Sequence, residues 1–421
     1  MKIFGKWQLP FFYGWVIVVV VFIAEFTTSG LGGSTLGLFF VPMQRDLGWS
    51  LTSLSGAVTA QAIAAMATAP LIGLALDRYG ARLVMLIGAI SAGVGLILLM
   101  QIQEVWHFWV LYAIVGALGL NELGRLSGPV VVAKWFVRLR GRAMAIATSG
   151  NTFGAWVTAP FIAALIGMSG WRNTWGVFGI ALLGLMVPLV LLFMKRQPED
   201  FGLQPDGDQF DKNVEKDQVL LGRYNNESEW TLREALKTRT IWIIVLAMNL
   251  VGLSSGPLLF FQVPYLIEKG MSDQNASYVF TATWIGFTLS RLVWGFAVEH
   301  IPVRVCLAIA FAARSSGPIF LVVVPYPLNI AFFILIHGIF GGSFALLQAV
   351  AVADYYGRRF MGSIQGAMRP FLAIPTIVGP LVFAVLHDAT GNFDIAFLIA
   401  GLLGFIAVAV ILQATPPKKI S

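Results

Sequence analysis

The sequence predicts an all-α membrane protein of twelve transmembrane helices, arranged as two six-helix halves related by pseudo-two-fold symmetry. Three observations carry that expectation. Of 421 residues, 57% are hydrophobic and only 12% charged, against about 25% charged residues in a soluble domain. Apolar runs of about 20 residues, enough for a helix to cross roughly 30 Å of hydrocarbon, recur along nearly the whole chain. Matching segments then repeat between the two halves at a nearly constant offset. A transmembrane β-barrel would instead show alternating segments of about ten residues.

The first run, "MKIFGKWQLPFFYGWVIVVVVFIAEF", has the basic start of a signal peptide but no small-x-small cleavage site, so it reads as an uncleaved first helix. Hydropathy and turn residues place the spans at about 11–41, 50–76, 82–103, 106–134, 141–168 and 172–195, then 240–267, 274–298, 303–324, 327–356, 360–387 and 393–413. Arg196 to Arg239 is rich in Asp, Glu, Lys, Gly and Asn, too polar for the bilayer, and reads as a cytosolic linker. The expected domains are therefore a bundle over 1–195, a linker over 196–239 and a bundle over 240–421.

Lys and Arg set the orientation. With both termini cytosolic, the inner side holds Lys2, Lys6, Arg78, Arg82, Lys134, Arg138, Arg140, Arg142, the linker cluster, Arg304, Arg358, Arg359, Lys418 and Lys419, and the outer side only Arg45, Arg172 and Lys269. A multi-pass protein of the cell (inner) membrane is the expectation. The net charge of +7 is spread through short loops, which points to topology rather than to nucleic acid. Cys306 is the only cysteine and the four histidines lack ligand spacing, so no intramolecular disulfide, metal or cofactor is expected.

The halves repeat in detail. "GLALDRYGAR" (Gly73 to Arg82) and "GFAVEHIPVR" (Gly295 to Arg304) place Gly, an acid and Arg 222 positions apart, at Gly73 and Gly295, Asp77 and Glu299, Arg82 and Arg304. "VAKWF" from Val132 matches "VADYY" from Val352, and Pro160 matches Pro380, both at an offset of 220. Such internal repetition marks a transporter whose halves rock about a central site. Gly73 lets two helix ends approach, and Asp77 can cap a facing helix N-terminus or accept from a neighbouring arginine. Asp77, Arg78, Arg82, Glu299 and Arg304 are accordingly candidate gate residues, with topology anchoring as the alternative for the arginines.

"GLALDRYGAR" resembles the Gly-x-x-x-Asp-Arg-x-Gly-x-Arg loop motif of the major facilitator superfamily, and the resemblance covers the whole chain. "FFYGWVIV", "PEDFGLQPDG" and "EWTLREALKTRTIW" resemble its bacterial monocarboxylate-transporter and oxalate/formate-antiporter branch. That resemblance implies that helices one, four, seven and ten line a central cavity, flanked by two, five, eight and eleven.

Charges inside the spans are the sharpest functional signal, because each costs about 2.5–3.5 kcal/mol on insertion scales. Six lie deep: Glu25, Glu122, Arg125, Arg291, Arg314 and Arg369. Counted from the cytosolic helix ends at 1.5 Å per residue, Arg291 is roughly 12 Å in, Arg125 and Arg369 roughly 14 Å, and Glu25 and Glu122 roughly 17–18 Å. Trp284, Thr288 and Gly295 share a helical face with Arg291, and Gly362, Gln365, Ala373 and Thr376 share one with Arg369. The planar guanidinium matches a carboxylate in bidentate fashion. Spans seven to twelve hold no Asp or Glu at the depth of Arg291, which favours a substrate carboxylate over a structural pair. Arg125 stays open between substrate binding and pairing with Glu122 or Glu25. Arg314, on helix nine, reads as a packing residue held by carbonyls.

The resemblance implies that a helix-eight arginine binds the substrate carboxylate, and Arg291 in "SRLVWG" stands in that place; the oxalate type adds a helix-eleven lysine near Arg369. Animal-type monocarboxylate transporters also carry an aspartate where this chain has Phe287, and a helix-one lysine that it lacks. Their proton scheme does not transfer, so Glu25, with Glu122, is the candidate proton carrier. Asn121, Gln348 and Asn249 are candidate hydrogen-bonding partners for the rest of a substrate, and Gly256 and Pro257 mark a bend in helix seven.

The expected function is secondary active transport of small organic anions, mono- or dicarboxylates, by alternating access, as proton symport or anion exchange. Without a Gly-x-x-x-x-Gly-Lys-Ser/Thr segment, nothing points to a primary pump or to an enzyme. The expected partners are the anion, protons or a counter-anion, and membrane lipid; the chain is expected to work as a monomer. Efflux of amphipathic or drug-like compounds is the rival within transport, though three arginines argue against cationic drugs. A transporter-like sensor is the rival from another class, and the linker is too short and polar for a signalling domain.

Overall fold

A computed structural model gives the structure of the chain. It describes residues 2–3, 7–8, 11–30, 35–207 and 229–419, so Lys6 and the middle of the expected linker, 208–228, lie outside the described residues. Apart from a two-residue ladder between Lys2–Ile3 and Trp7–Gln8, the described elements are helical. Buried backbone in lipid must be satisfied within its own segment, which leaves helices as the natural element for so apolar a chain.

The helices follow the expected spans. Span one is Gly14–Gly30 with Gly37–Leu47, span two Leu51–Tyr79, and span three Ala81–Leu98. Span four begins at Val105–Ile114, is π-wound over Val115–Arg125 and ends as Ser127–Trp135. Spans five and six form one run, Arg140–Phe193, divided at Gly170 (φ 79°, ψ 163°), where only glycine is unstrained. Span seven is Arg239–Ser255 and Leu258–Glu268, broken at Gly256–Pro257; span eight is Asp273–Ala297 and span nine Val303–Val323. Span ten comprises Leu328–Phe332, a π-wound Phe333–Phe340 and Phe344–Tyr356. Span eleven is Met361–Leu372 with Ile374–Thr390, and span twelve Asp394–Ile411.

Eight helices among the described residues, covering nine of the spans, are long and apolar enough to cross a membrane. The spans that miss this mark are one, four and eight. Elsewhere large apolar side chains face outward, as at Leu71, Ile180 and Leu381, each about two-thirds exposed at 68%, 65% and 66%; a lipid-facing surface requires this.

Contacts divide the chain into two compact units: Met1–Trp230 with Gly357–Ala367, and Thr231–Tyr356 with Met368–Ser421. In the first, two of the family-like sequence segments meet. Phe12 and Tyr13 of "FFYGW" pack on Trp135 and Phe136 at ring separations of 5.5–5.8 Å, and the Tyr13 hydroxyl donates to the Phe193 carbonyl at 2.8 Å. Asp206 of "PEDFGLQPDG" is buried and accepts from the N–H groups of Val137, Arg138 and Leu139 at 2.8–3.1 Å. That carboxylate closes the loop between spans four and five. Replacing it in Asp206→Ala leaves three donors unmade, at about 1–3 kcal/mol for each that stays dry. A fall of at least ~2 kcal/mol in thermal stability is expected, with Asp206→Asn keeping part of it; an unchanged melting point contradicts the clasp.

In the second unit, a capping box opens Leu232–Lys237 within the "EWTLREALK" segment. Thr231 Oγ1 accepts from Glu234 N, and the Glu234 carboxylate accepts from Thr231 N at 2.8 Å, which holds that exposed carboxyl below its usual range. One core cluster of this unit gathers Leu258, Tyr265, Leu321, Phe333, Phe383, Phe393 and Phe397.

Candidate functional site

In the first unit, the winding of span four decides where its polar residues point. Leu126 N bonds to Asn121 O five residues back, at 3.1 Å, and the Ser127 hydroxyl donates to the Glu122 carbonyl. A π-wound turn is wider than 3.6 residues, so residues three apart no longer share a face. Glu122 is accordingly buried, its Cβ close to Gly88 of span three, whereas the Arg125 side chain is exposed and Asn121 half-buried. Glu25 is 3% exposed. Its carboxyl lies against span four: a Cβ built on Gly124 stands 3.3 Å from Glu25 Cδ, and one on Gly128 stands 3.6 Å from Oε1. Two missing side chains thus make the berth for one buried acid. The unit brings Glu25 up to the segment that bears Asn121, Glu122 and Arg125.

In the second unit, Arg291 is half-buried on span eight. Its neighbours Ser290 and Trp294 are fixed to the interruption of span ten: Trp294 Nε1 donates to Phe340 O at 2.8 Å, Gly342 N donates to Ser290 Oγ at 3.2 Å, and the Ser343 hydroxyl bonds to Ser290 Oγ at 3.1 Å. Carbonyls and N–H groups left over by a broken helix must find partners, and here span eight supplies them on either side of Arg291. Arg369 is half-buried on span eleven. Gln348, buried on span ten, places its Nε2 3.8 Å from the sulfur of Met368, beside Arg369 in the chain. Asn249 spends its Nδ2 on the Val245 carbonyl at 2.8 Å, and its buried Oδ1 has no hydrogen-bond partner among the described residues. The π-wound stretches of spans four and ten fall at equivalent places under the 220-residue offset of the sequence repeat.

The loop motif has defined contacts within the first unit. Asp77, half-buried, accepts from Gly362 N at 3.0 Å and from Ser363 N at 2.7 Å, capping the first turn of Met361–Leu372. Gly73 makes this reach possible: a Cβ there would run into the Gly362 carbonyl and lie 3.1 Å from Gly366 Cα. Arg82 Nη2 donates to the Leu191 carbonyl at 2.6 Å, and Arg196 Nη2 to the Asp77 carbonyl at 3.2 Å, both at helix C-terminal ends where cations are favoured. Arg78 is exposed, its guanidinium 5.3 Å from the Tyr79 ring. Glu299 and Arg304 are half-buried at the matching place in the second unit. Losing the cap in Asp77→Ala should lower stability by about 1–2 kcal/mol, and Asp77→Asn by less, since its amide oxygen still accepts. Thermal melting reads both; equal melting points for the parent and the alanine variant contradict the cap.

The residues that sequence reasoning passed over are Ser290, Trp294 and Asp206. None lies in a pattern that betrays its partner, because each serves backbone groups remote in the sequence.

The sequence profile described as Major Facilitator Superfamily matches residues 17–276 and 244–421. The chain belongs to the major facilitator superfamily. Human monocarboxylate transporter 12 is 24% identical to it over 419 residues, covering 93% of this chain and 80% of that protein. An uncharacterized MFS-type transporter of Bacillus subtilis, YcxA, is 21% identical and covers 96% of this chain and 97% of its own length. Among solved structures, the superfamily transporter FucP in its outward conformation superposes with a TM-score of 0.70 at 14% identity, covering 96% of this chain and 98% of that one. The proton:xylose symporter XylE gives 0.70 at 14% identity, with 95% of each chain covered. The superfamily fold is therefore that of the whole chain: a multi-pass integral membrane transporter of twelve spans in two six-helix halves.

Proposed function

We propose that this superfamily member is a secondary active transporter of small organic anions, mono- or dicarboxylates. The observation that carries the reading is Arg291: a guanidinium half-buried inside span eight, well before its end at Ala297, on a helix whose adjoining Ser290 and Trp294 are anchored to span ten. A fixed, planar, permanently charged fork is the group best suited to a carboxylate, and relatives named as monocarboxylate transporters agree with it. Arg369 adds a second guanidinium, and Arg125 a third. Asn121, Asn249 and Gln348 offer amides to the remainder of the substrate, with the buried Oδ1 of Asn249 as an acceptor.

The two bundles, 1–195 and 240–421, joined by 196–239, alternate access to this site. Asp77, Arg78, Arg82, Glu299 and Arg304 act as gate residues, and Glu25 with Glu122 carries the proton in symport; in exchange, a second anion takes the proton's place. The protein works as a monomer in the inner membrane with both termini cytosolic, without a cofactor.

Uptake of labelled mono- and dicarboxylates into proteoliposomes tests the proposal. If Arg369 grips a second carboxylate, Arg369→Ala lowers dicarboxylate uptake about 30-fold more than monocarboxylate uptake, the loss of one charge-assisted pair. Parental uptake of every anion by Arg369→Ala removes that residue from the site.

A further inference from the structure

Span nine holds an arginine that the anion site does not use. Arg314 is 5% exposed. Its carbonyl lacks the usual donor four positions on in its own helix, because that residue is Pro318, which has no N–H. His337 of span ten fills the gap, with Nδ1 2.7 Å from that oxygen. A carbonyl only accepts, so the ring proton sits on Nδ1, and the ring stacks on Phe333 at 4.6 Å.

The side chain reaches two helix breaks at once. Its Nε donates to Ser255 Oγ at 2.6 Å, the last residue before span seven breaks at Gly256–Pro257. Its Nη1 donates to the Gly341 carbonyl at 3.1 Å, inside the break of span ten. The guanidinium carbon lies 4.9 Å from the ring centroids of both Phe287 and Phe344. Among the described residues none of its partners is a carboxylate. Gly341 must be glycine here, since a Cβ would stand 2.8 Å from Arg314 Cα.

A charge buried in lipid is costly, and packing alone would be served as well by an apolar side chain of similar volume. What an apolar chain cannot do is donate in one plane to two breaks while two aromatic rings flank it. We propose that Arg314 is a positioning residue of the transport cycle, a buried pin that sets the bends of spans seven and ten together. The inference rests on the transporter reading but not on which anion is carried.

Arg314→Met and Ser255→Ala test it by two readouts. Amide hydrogen exchange over 252–258 and 339–344 needs no substrate, so it separates failure of the pin from failure of the carboxylate reading. Arg314→Met should keep or exceed the parental melting point, exchange roughly tenfold faster at both breaks, and lose roughly tenfold in turnover. Parental exchange at either break, or parental turnover, overturns the proposal. Should Arg314→Met not fold, Ser255→Ala replaces it: it removes only the tie to span seven and leaves the charge and the Gly341 bond in place, so exchange should rise over 252–258 and turnover should fall, and a parental value of either overturns the proposal.

Discussion

Arg291→Ala is expected to cut carboxylate uptake by roughly 30-fold to more than a thousand-fold, the range that follows from the ~2–5 kcal/mol lost when one partner of a desolvated, hydrogen-bonded charge pair is truncated. The loss should appear in kcat/KM and not in folding. Arg291 is half-buried, and Ser290 and Trp294, which tie span eight to span ten, stay in place in the variant, so a melting point read beside uptake separates loss of the site from loss of the fold. Arg291→Lys separates charge from shape. A lysine keeps the positive charge but gives up the two parallel donors of the fork, so uptake should return only in part. Full activity in Arg291→Lys would mean that a point charge is enough and that bidentate geometry plays no role. Transport assays at matched protein incorporation decide between these outcomes.

Glu25→Gln carries the second large effect, a loss of coupling rather than of binding. The carboxyl is 3% exposed and lodged against the backbone of span four at Gly124 and Gly128. Glutamine has the same shape and fills the same berth, yet it cannot gain or lose a proton. Substrate-driven acidification of the vesicle interior should therefore vanish, while exchange of internal for external carboxylate, which needs no net proton movement, persists. Acidification at the parental rate in Glu25→Gln would exclude this residue as the carrier and leave Glu122, also buried, as the next to replace. Loss of exchange together with acidification would mark Glu25 as part of the anion site or its support.

Much of the fold could be read in advance, for a physical reason. Bilayer thickness sets helix length, so the spans expected at about 274–298 and 303–324 are found as Asp273–Ala297 and Val303–Val323. The boundary expected between 168 and 172 falls at Gly170. The winding inside the spans was less legible. Nothing in "VGALGLNELGR" announces a π-wound segment, because it depends on which neighbours donate to the displaced carbonyls. The structure turns Glu122 inward and leaves Arg125 exposed, a difference that a uniform period of 3.6 residues does not foretell. Arg314 was half-legible. Its carbonyl partner was expected, and the structure supplies Gly341; Pro318, four residues on, was the available sign that its own carbonyl would also need a donor. Asp206 shows the limit in the other direction. The segment "PEDFGLQPDG" stands out by its turn residues, but the loop it clasps at Val137, Arg138 and Leu139 lies nearly seventy residues earlier, a distance no local pattern spans.

The central claim is that a carboxylate is what the arginines of the second unit recognise. The most direct measurement is the affinity of purified protein for a small carboxylic acid and for its primary amide, matched in size and differing in charge, compared between the parent and Arg291→Ala by calorimetry or thermal shift. The parent should bind the acid at least about 30-fold more tightly than the amide, the equivalent of one charge-assisted pair, and Arg291→Ala should bind the acid more weakly and lose most of that preference. Equal affinity of the parent for acid and amide, or undiminished preference for the acid in Arg291→Ala, would contradict the anion site.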